Sequence, residues 1–251
     1  MKIVVMSDIH ANAFALENAL PEIRRVTPDQ IVCLGDAIQG GPQPVETVAL
    51  LRELACPVVM GNSDDWLLRG EEVDIESGSI AEDRMRRLED GRLWSLEQLN
   101  EADRAFIAAF PPTVEIPLDS GRKLLCFHGS PTYYEDVLGP LTPDEEFTRL
   151  LGSYLPSIFT GGHTHRQQIR RVGDDSFFFN PGSVGLAFGN LTPEGTLRAA
   201  HWTEYAVLTA DKDNFSVDFR RVPYDAKPLI GIYRTSGRPH AHEAEEWYGT
   251  S

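Results

Sequence analysis

Positive charge is in short supply in this chain. Its 251 residues carry 23 Lys and Arg against 38 Asp and Glu, a formal net charge of −15. A duplex nucleic-acid binder normally presents a basic face, so that class is set aside. A small anionic substrate is not, because exposed charges are screened beyond about 8 Å and a bound cation reverses the local field. Cysteine is scarcer still: Cys33, Cys56 and Cys126 are too few and too scattered for a disulfide framework. Cys33 and Cys126 sit inside apolar runs, where a free thiol behaves as a small hydrophobe, and reduced thiols in a cytoplasmic protein are expected. Long apolar runs are missing as well. The opening "MKIVVMSDIH" turns polar at Ser7 and Asp8, too early for a signal-peptide core. No stretch approaches the ~20 apolar residues of a membrane span.

What remains, 41% apolar and 24% charged, is the composition of an ordinary soluble globular protein. No internal repeat and no linker-like stretch divides it, and one domain over residues 1–251 is expected. The first sixty residues alternate strand and helix patterns. "KIVVMS" (2–7), "QIVCLG" (30–35) and "PVVMG" (57–61) are apolar runs of strand length. Between them, "FALENALPEIRR" (14–25) and "VETVALLREL" (45–54) have helical spacing, with Pro21 weakening the first. This β-α-β-α-β order implies parallel strands joined by crossover helices.

Residues 66–110 are helical and charged, an insertion over the strand ends with an interruption near Gly91. There Asn100 and Asp103 form a capping pattern and Pro111-Pro112 a stop. Strands resume at 113–118, 123–129 and 157–162, with a short helix over "PDEEFTRLLGSYL". "QQIRRV", "SFFFN", "TLRAAHWTEYAVLTA" and "NFSVDFRRV" follow as mostly antiparallel strands. A loosely ordered tail is expected from about residue 234.

Each strand is followed by polar side chains of one kind. Asp8 and His10 come after the first, Asp36 after the second, and Asn62 in "GNSDD" after the third. His128 follows the strand ending at Phe127, and His163 and His165 follow the one ending at Thr160. Open parallel α/β sheets bind ligands at the carboxyl ends of their strands. Two Asp, one Asn and four His are therefore delivered to one edge, which turn chemistry alone does not account for. A set of His, Asp and Asn without Cys suits Mn, Fe, Zn or Ni. Seven side chains exceed the four of a structural zinc site. They suit two cations about 3.5–4 Å apart if one carboxylate bridges. Two divalent cations against two carboxylates leave about +2, or +1 with a bridging hydroxide, a centre that attracts phosphate oxygens.

These blocks, D-x-H, G-D, G-N, a lone H and G-H-x-H, stand in order from Asp8 to His165. In this the sequence resembles the calcineurin-like metallophosphoesterase superfamily. "FNPGSVG" (179–185) further resembles its branch of small bacterial and archaeal phosphodiesterases and dinucleoside tetraphosphate hydrolases. The resemblance implies an α/β fold, a four-layer α-β-β-α sandwich of two mixed sheets. It implies that Asp8, His10 and His165 bind one metal and Asn62, His128 and His163 the other, with Asp36 bridging. Asp36, Asn62 and His128 would then serve catalysis by a hydroxide between the metals that attacks phosphorus in line. The implied activity is hydrolysis of phosphodiester or phosphoanhydride bonds, in a nucleotide-like substrate such as a dinucleoside polyphosphate. A phosphomonoesterase or protein phosphatase, and a non-catalytic scaffold like the similar retromer subunit, are the competing readings. The seven filled ligand positions speak against the scaffold.

The sequence departs from the resemblance at Ser63, where many members carry the His proposed to protonate the leaving oxygen. A serine hydroxyl is no acid near neutral pH, and such catalysis is typically worth about 10²–10⁴-fold. Leaving groups that depart without strong protonation, aryl esters and phosphoanhydrides, are therefore expected. Asp64 is expected to orient Asn62 or cap the next helix, and Asp65 to be solvated. Tyr133 and Tyr134 are candidates for stacking on a base, and Arg166 for a second phosphate. Asn180 and Ser183 lie in a turn whose amides are candidates for holding phosphate. His201, His240 and His242 are read as structural or surface residues.

Overall fold

The computed structural model of the chain describes residues 1–70, 82–119, 121–154, 157–191, 197–212 and 214–249. Its centre is a pair of face-to-face mixed sheets. The first has the order β11-β10-β1-β2, from Phe215–Pro223, Trp202–Ala210, Lys2–Met6 and Gln30–Cys33. The second runs β3-β4-β5-β7-β6, from Val114–Pro117, Lys123–Cys126, Ile158–Thr160, Ser176–Asn180 and Gln168–Val172. β1 pairs parallel with β2, and β5 parallel with both β4 and β7, whereas β10, β11, β3 and β6 are antiparallel additions.

Both faces of β1 are buried, which is why it reads as an unbroken apolar run rather than an alternation. Ile3 and Val5 join Val32, Leu124, Ile158 and Phe179 between the sheets. Val4 and Met6 face the other way, onto Leu16 and Ile23 of α1 (Ala13–Val26) and Val48 and Leu51 of α2 (Pro44–Leu54). On the far side of the second sheet, Phe127, Phe159 and Phe178 bury against Phe147, Leu150 and Leu151 of α6 (Asp144–Leu151). Helix, sheet, sheet, helix is the expected α-β-β-α sandwich. Pro21 is tolerated within α1 on its exposed face.

Several elements differ from the sequence reading. The strand expected at 57–61 reduces to one bridge between Cys33 and Val58. Pro57 has no N–H to give, and Met60 turns its N–H away to Pro111 O at 2.8 Å. "GNSDD" is not a free turn: Gly61 is the N-cap of α3 (Asn62–Arg69), so Asn62 opens a helix. α4 (Glu82–Gln98) runs through Gly91 without a break, and α5 (Glu101–Ala108) carries the full Asn100–Asp103 capping box. The long strand expected over "TLRAAHWTEYAVLTA" divides at Ala200, whose N–H bonds Ala187 O at 2.7 Å. β9 (Leu197–Ala199) instead pairs with β8 (Phe188–Leu191).

Through residue 249 the tail is packed rather than loose. α7 (Ala226–Thr235) and α8 (Glu243–Tyr248) bury Leu229, Ala244 and Tyr248 against Ala199 and Phe14. Among the described residues, no helix is long and apolar enough to cross a membrane. All three cysteines are unpaired thiols.

Candidate metal centre

The loops after β1 and β2 run on together beyond the end of their ladder. Asp8 N–H bonds Gly35 O at 3.0 Å, and His10 N–H bonds Asp36 O at 2.9 Å. This course forces Asp8, His10, Ala11 and Asp36 to φ values of 48° to 54°, and His163 and His165 to 67° and 53°. The left-handed region costs a non-glycine residue of the order of 1–3 kcal/mol, and such strain collects where side chains must be aimed. Five of these six residues are Asp or His of the predicted ligand set. The glycines of two blocks also have a steric cause. A Cβ on Gly61 would collide with Asp36, and one on Gly162 with Ser7 and Asp8.

The seven predicted ligands converge in two clusters. In one, the ligand atoms of Asp8, His10 and His165 all lie within 4.8 Å of one another; in the other, those of Asp36, His128 and His163 do. Asn62 belongs to the second, its Oδ1 2.9 Å from His128 Nε2 and 3.0 Å from His163 Nδ1. Asp36 stands between the two. Its Oδ2 is 3.8 Å from His10 Nε2 and its Oδ1 is 3.5 Å from His128 Nε2.

Three main-chain carbonyls set the imidazole tautomers. His10 Nδ1 bonds Gln39 O at 2.8 Å, His128 Nδ1 bonds Leu34 O at 2.8 Å, and His165 Nδ1 bonds Leu186 O at 2.7 Å. Each Nδ1–H is thereby spent, and each Nε2 presents a lone pair inward, the arrangement that orients metal-binding histidines. His10 Nε2 and His165 Nε2 then face each other at 3.1 Å. Two lone pairs at that distance repel unless a positive charge lies beside them. Asp8 Oδ1 is buried without a hydrogen-bond partner, 3.3 Å from His165 Nε2. Lone pairs without donors, around buried carboxylates, fit a cation in each cluster.

The electrostatics agree. Burial opposes charge on Asp36, yet His128 and His10 outweigh it and hold the carboxyl well below the usual carboxylate range. Burial also opposes charge on His128, where Asp36 prevails and lifts the imidazole to about 10. Burial and the neighbouring His128 push His163 down to about 4. The centre keeps its carboxylates ionised and draws in positive charge, here a proton.

Ser63 and Asp64 act on the loop that carries Asp36. Ser63 donates its N–H to Asp36 Oδ1 at 2.8 Å and its Oγ–H to Oδ2 at 2.7 Å. Asp64, fully buried, accepts the N–H groups of Ala37 and Ile38 at 3.0 and 2.9 Å. It clamps the residues after Asp36, a role not anticipated above, while Asp65 pairs with Arg69.

The secondary candidates separate. Tyr133 is 55% exposed, and Arg166 is exposed, whereas Tyr134 is half-buried against the helix-side core. Asn180 and Ser183 are fully buried and fully engaged. Asn180 Nδ2 donates to Gly162 O at 2.6 Å, and its Oδ1 accepts from Gly182 N–H at 2.9 Å. Ser183 Oγ donates to Asp8 O at 2.7 Å and accepts from Leu186 N–H at 2.8 Å. The Val184 and Gly185 amides bond Ser7 O and Asp8 O, so this turn holds the Asp8 backbone rather than facing solvent. His201 bonds Tyr248 O, His240 bonds Asp90, and His242 is exposed.

Comparison with known proteins accords with this geometry. The model of the calcineurin-like phosphoesterase superfamily domain matches residues 1–212. Uncharacterized protein MJ0912 of Methanocaldococcus jannaschii is 30% identical over 243 residues, covering 90% of this chain and 88% of the relative. The crystal structure of a metallophosphoesterase from Sphaerobacter thermophilus shares 24% identity at a TM-score of 0.70, with both chains wholly covered. That of PH1004 from Pyrococcus horikoshii shares 17% at 0.78, covering 100% of this chain and 99% of the other. Both structures share the fold. With five motif blocks converging from strand ends of both sheets, not from one sheet edge as expected, and a family match over most of its length, the chain belongs to the calcineurin-like phosphoesterase superfamily.

Proposed function

We propose that the protein is a dinuclear metal-dependent phosphoesterase that hydrolyses phosphodiester or phosphoanhydride bonds of a small nucleotide-like substrate. The observation that carries this reading is Asp36, whose two oxygens face His10 in one cluster and His128 in the other. Asp8, His10 and His165 would hold one cation, Asn62, His128 and His163 the second, with Asp36 shared. Divalent cations there would supply hydroxide at neutral pH and offset charge on the phosphoryl oxygens. The chain's own residues do the positioning. Gln39, Leu34 and Leu186 fix three imidazoles through their carbonyls. Ser63 grips both oxygens of Asp36 and so fixes the plane of the shared carboxylate. The exposed ring of Tyr133, on the loop after His128, supports a substrate carrying a base.

Metal content of the purified protein, then hydrolysis of bis-(p-nitrophenyl) phosphate with added Mn²⁺, tests the proposal. About two ions per chain and metal-dependent turnover are expected. No bound metal and no turnover with any divalent ion would overturn it. A panel of nucleotides and dinucleoside polyphosphates, with products identified, then names the substrate class.

A further inference from the structure

One histidine of the metal centre is gripped twice by the segment that follows the 180–185 turn. Leu186 O accepts the His165 Nδ1–H at 2.7 Å. Two residues on, the Phe188 ring lies over the His165 imidazole, with centroids 4.8 Å apart and planes within 18° of parallel. Phe188 is half-buried, stands outside the hydrophobic clusters of the core, and makes no other ring contact among the described residues. It is held from behind through its own strand. Phe188 of β8 pairs with Ala199 of β9, which packs among Leu229 of α7 and Ala244 and Tyr248 of α8.

The two contacts do different things. The hydrogen bond places Nδ1 but leaves the imidazole able to swing about the N–H···O line, because acceptor geometry at a carbonyl is broad. A near-parallel ring over the face fixes the plane, and with it the direction of Nε2. That direction matters, since His165 Nε2 stands 3.3 Å from Asp8 Oδ1 and 3.1 Å from His10 Nε2. A ring swung away would leave Asp8 and His10 without their third ligand. Charge adds to geometry: an imidazole on a cation draws positive charge onto its ring, and an aromatic face attracts that charge. In the other cluster, His128 and His163 brace each other edge-on at 71°, and neither stacks on Phe188.

We propose that Phe188 is a positioning residue of one cation site. Through the His165 imidazole it sets the affinity of the Asp8–His10–His165 cluster, and it leaves the Asn62–His128–His163 cluster alone. The proposal rests on the two-cation reading above.

Calorimetric titration of the metal-free proteins with Mn²⁺ tests it. Phe188→Leu, which keeps an apolar side chain without a ring, should weaken one of the two ions by about 10–100-fold, the usual cost of losing a group that orients a metal ligand. The other ion should bind as before. Phe188→Tyr keeps the ring and should bind both ions as the unaltered protein does. Phe188→Met, a second ringless side chain, serves should F188L not fold. The route through His165 is tested by a double-mutant cycle. His165→Ala removes a ligand of the first site, and adding F188L to it should leave the remaining ion bound as tightly as in H165A alone. A further readout needs no metal: in the proton NMR spectrum the His165 ring protons should carry the ring current of Phe188, a shift that F188L removes and F188Y keeps.

Equal weakening of both ions in F188L, no weakening of either, or a further loss when F188L is added to H165A would overturn the role of Phe188 and leave the phosphoesterase reading intact. Fewer than two ions bound by the unaltered protein would remove the dinuclear reading and this proposal with it.

Discussion

Two loops border the metal centre, and the sequence marked both as substrate contacts. The 180–186 turn uses its polar groups on the protein itself. Asn180 binds the loop before His163, Ser183 binds Asp8, and the Val184 and Gly185 amides bind Ser7 and Asp8. The 129–136 loop is tied together by Ser130, which bonds Thr132, Tyr133 and Asp136, and leaves the Tyr133 ring exposed. A polar side chain at a strand end is thus available for chemistry only where the fold has not already satisfied it. The first loop holds the Asp8 backbone, and the second leaves an aromatic ring open to solvent.

The largest effect that separates the loops belongs to Asn180→Ala. It leaves the buried Gly182 N–H without its partner, at about 1–3 kcal/mol, and removes one of two donors from Gly162 O, which keeps the Thr164 N–H. A loss of about 2 kcal/mol is expected, a fall in Tm of roughly 2–4 °C per kcal/mol for a chain of this size. Mn²⁺ affinity should fall as well, because Gly162 precedes His163. Scanning calorimetry and metal titration measure the two. A stable N180A with intact metal binding and a raised KM would make the fixed loop a substrate loop after all.

Tyr133→Ala should behave in the opposite way. The ring is mostly exposed, and surface changes away from special features are usually within ±0.5 kcal/mol. Base stacking on an aromatic is worth about 1–3 kcal/mol, and an open ring belongs at the low end. A rise in KM of about fivefold is expected for a nucleotide substrate, with Tm and turnover of bis-(p-nitrophenyl) phosphate unchanged. Equal KM changes for both substrates would remove the base from the argument.

The contrast also explains what was legible beforehand. Asp8, His10, Asp36, Asn62, His128, His163 and His165 stood out because each follows an apolar run, and residue type carries their chemistry. Leu34, Gln39 and Leu186 act through main-chain carbonyls, which leave no trace in residue identity. Ser63 was read for the acid it lacks, whereas its hydroxyl and amide both hold Asp36. Asp64 looked like a cap, and only the close passage of residues 37–38 reveals what it binds. In the fold, the apolar runs announced the strands of both sheets. The break at Ala200 and the packing of α8 depend on partners distant in the chain.

The smallest effect expected is that of Tyr248→Phe, and it probes how firmly the first loop is fixed. Tyr248 in α8 donates its hydroxyl to Gly185 O at 3.0 Å, but Asn12 Nδ2 reaches the same carbonyl at 2.8 Å. Removing the hydroxyl therefore orphans no acceptor, and the ring keeps its place in the core. The cost should be about 1 kcal/mol or less, the net worth of one neutral hydrogen bond. Tm should fall by a few degrees at most, with Mn²⁺ affinity and turnover unaltered. If metal affinity drops while Tm holds, α8 is what seats the turn on Asp8. The rigidity of the metal centre would then depend on the last helix of the chain as well as on its strand ends.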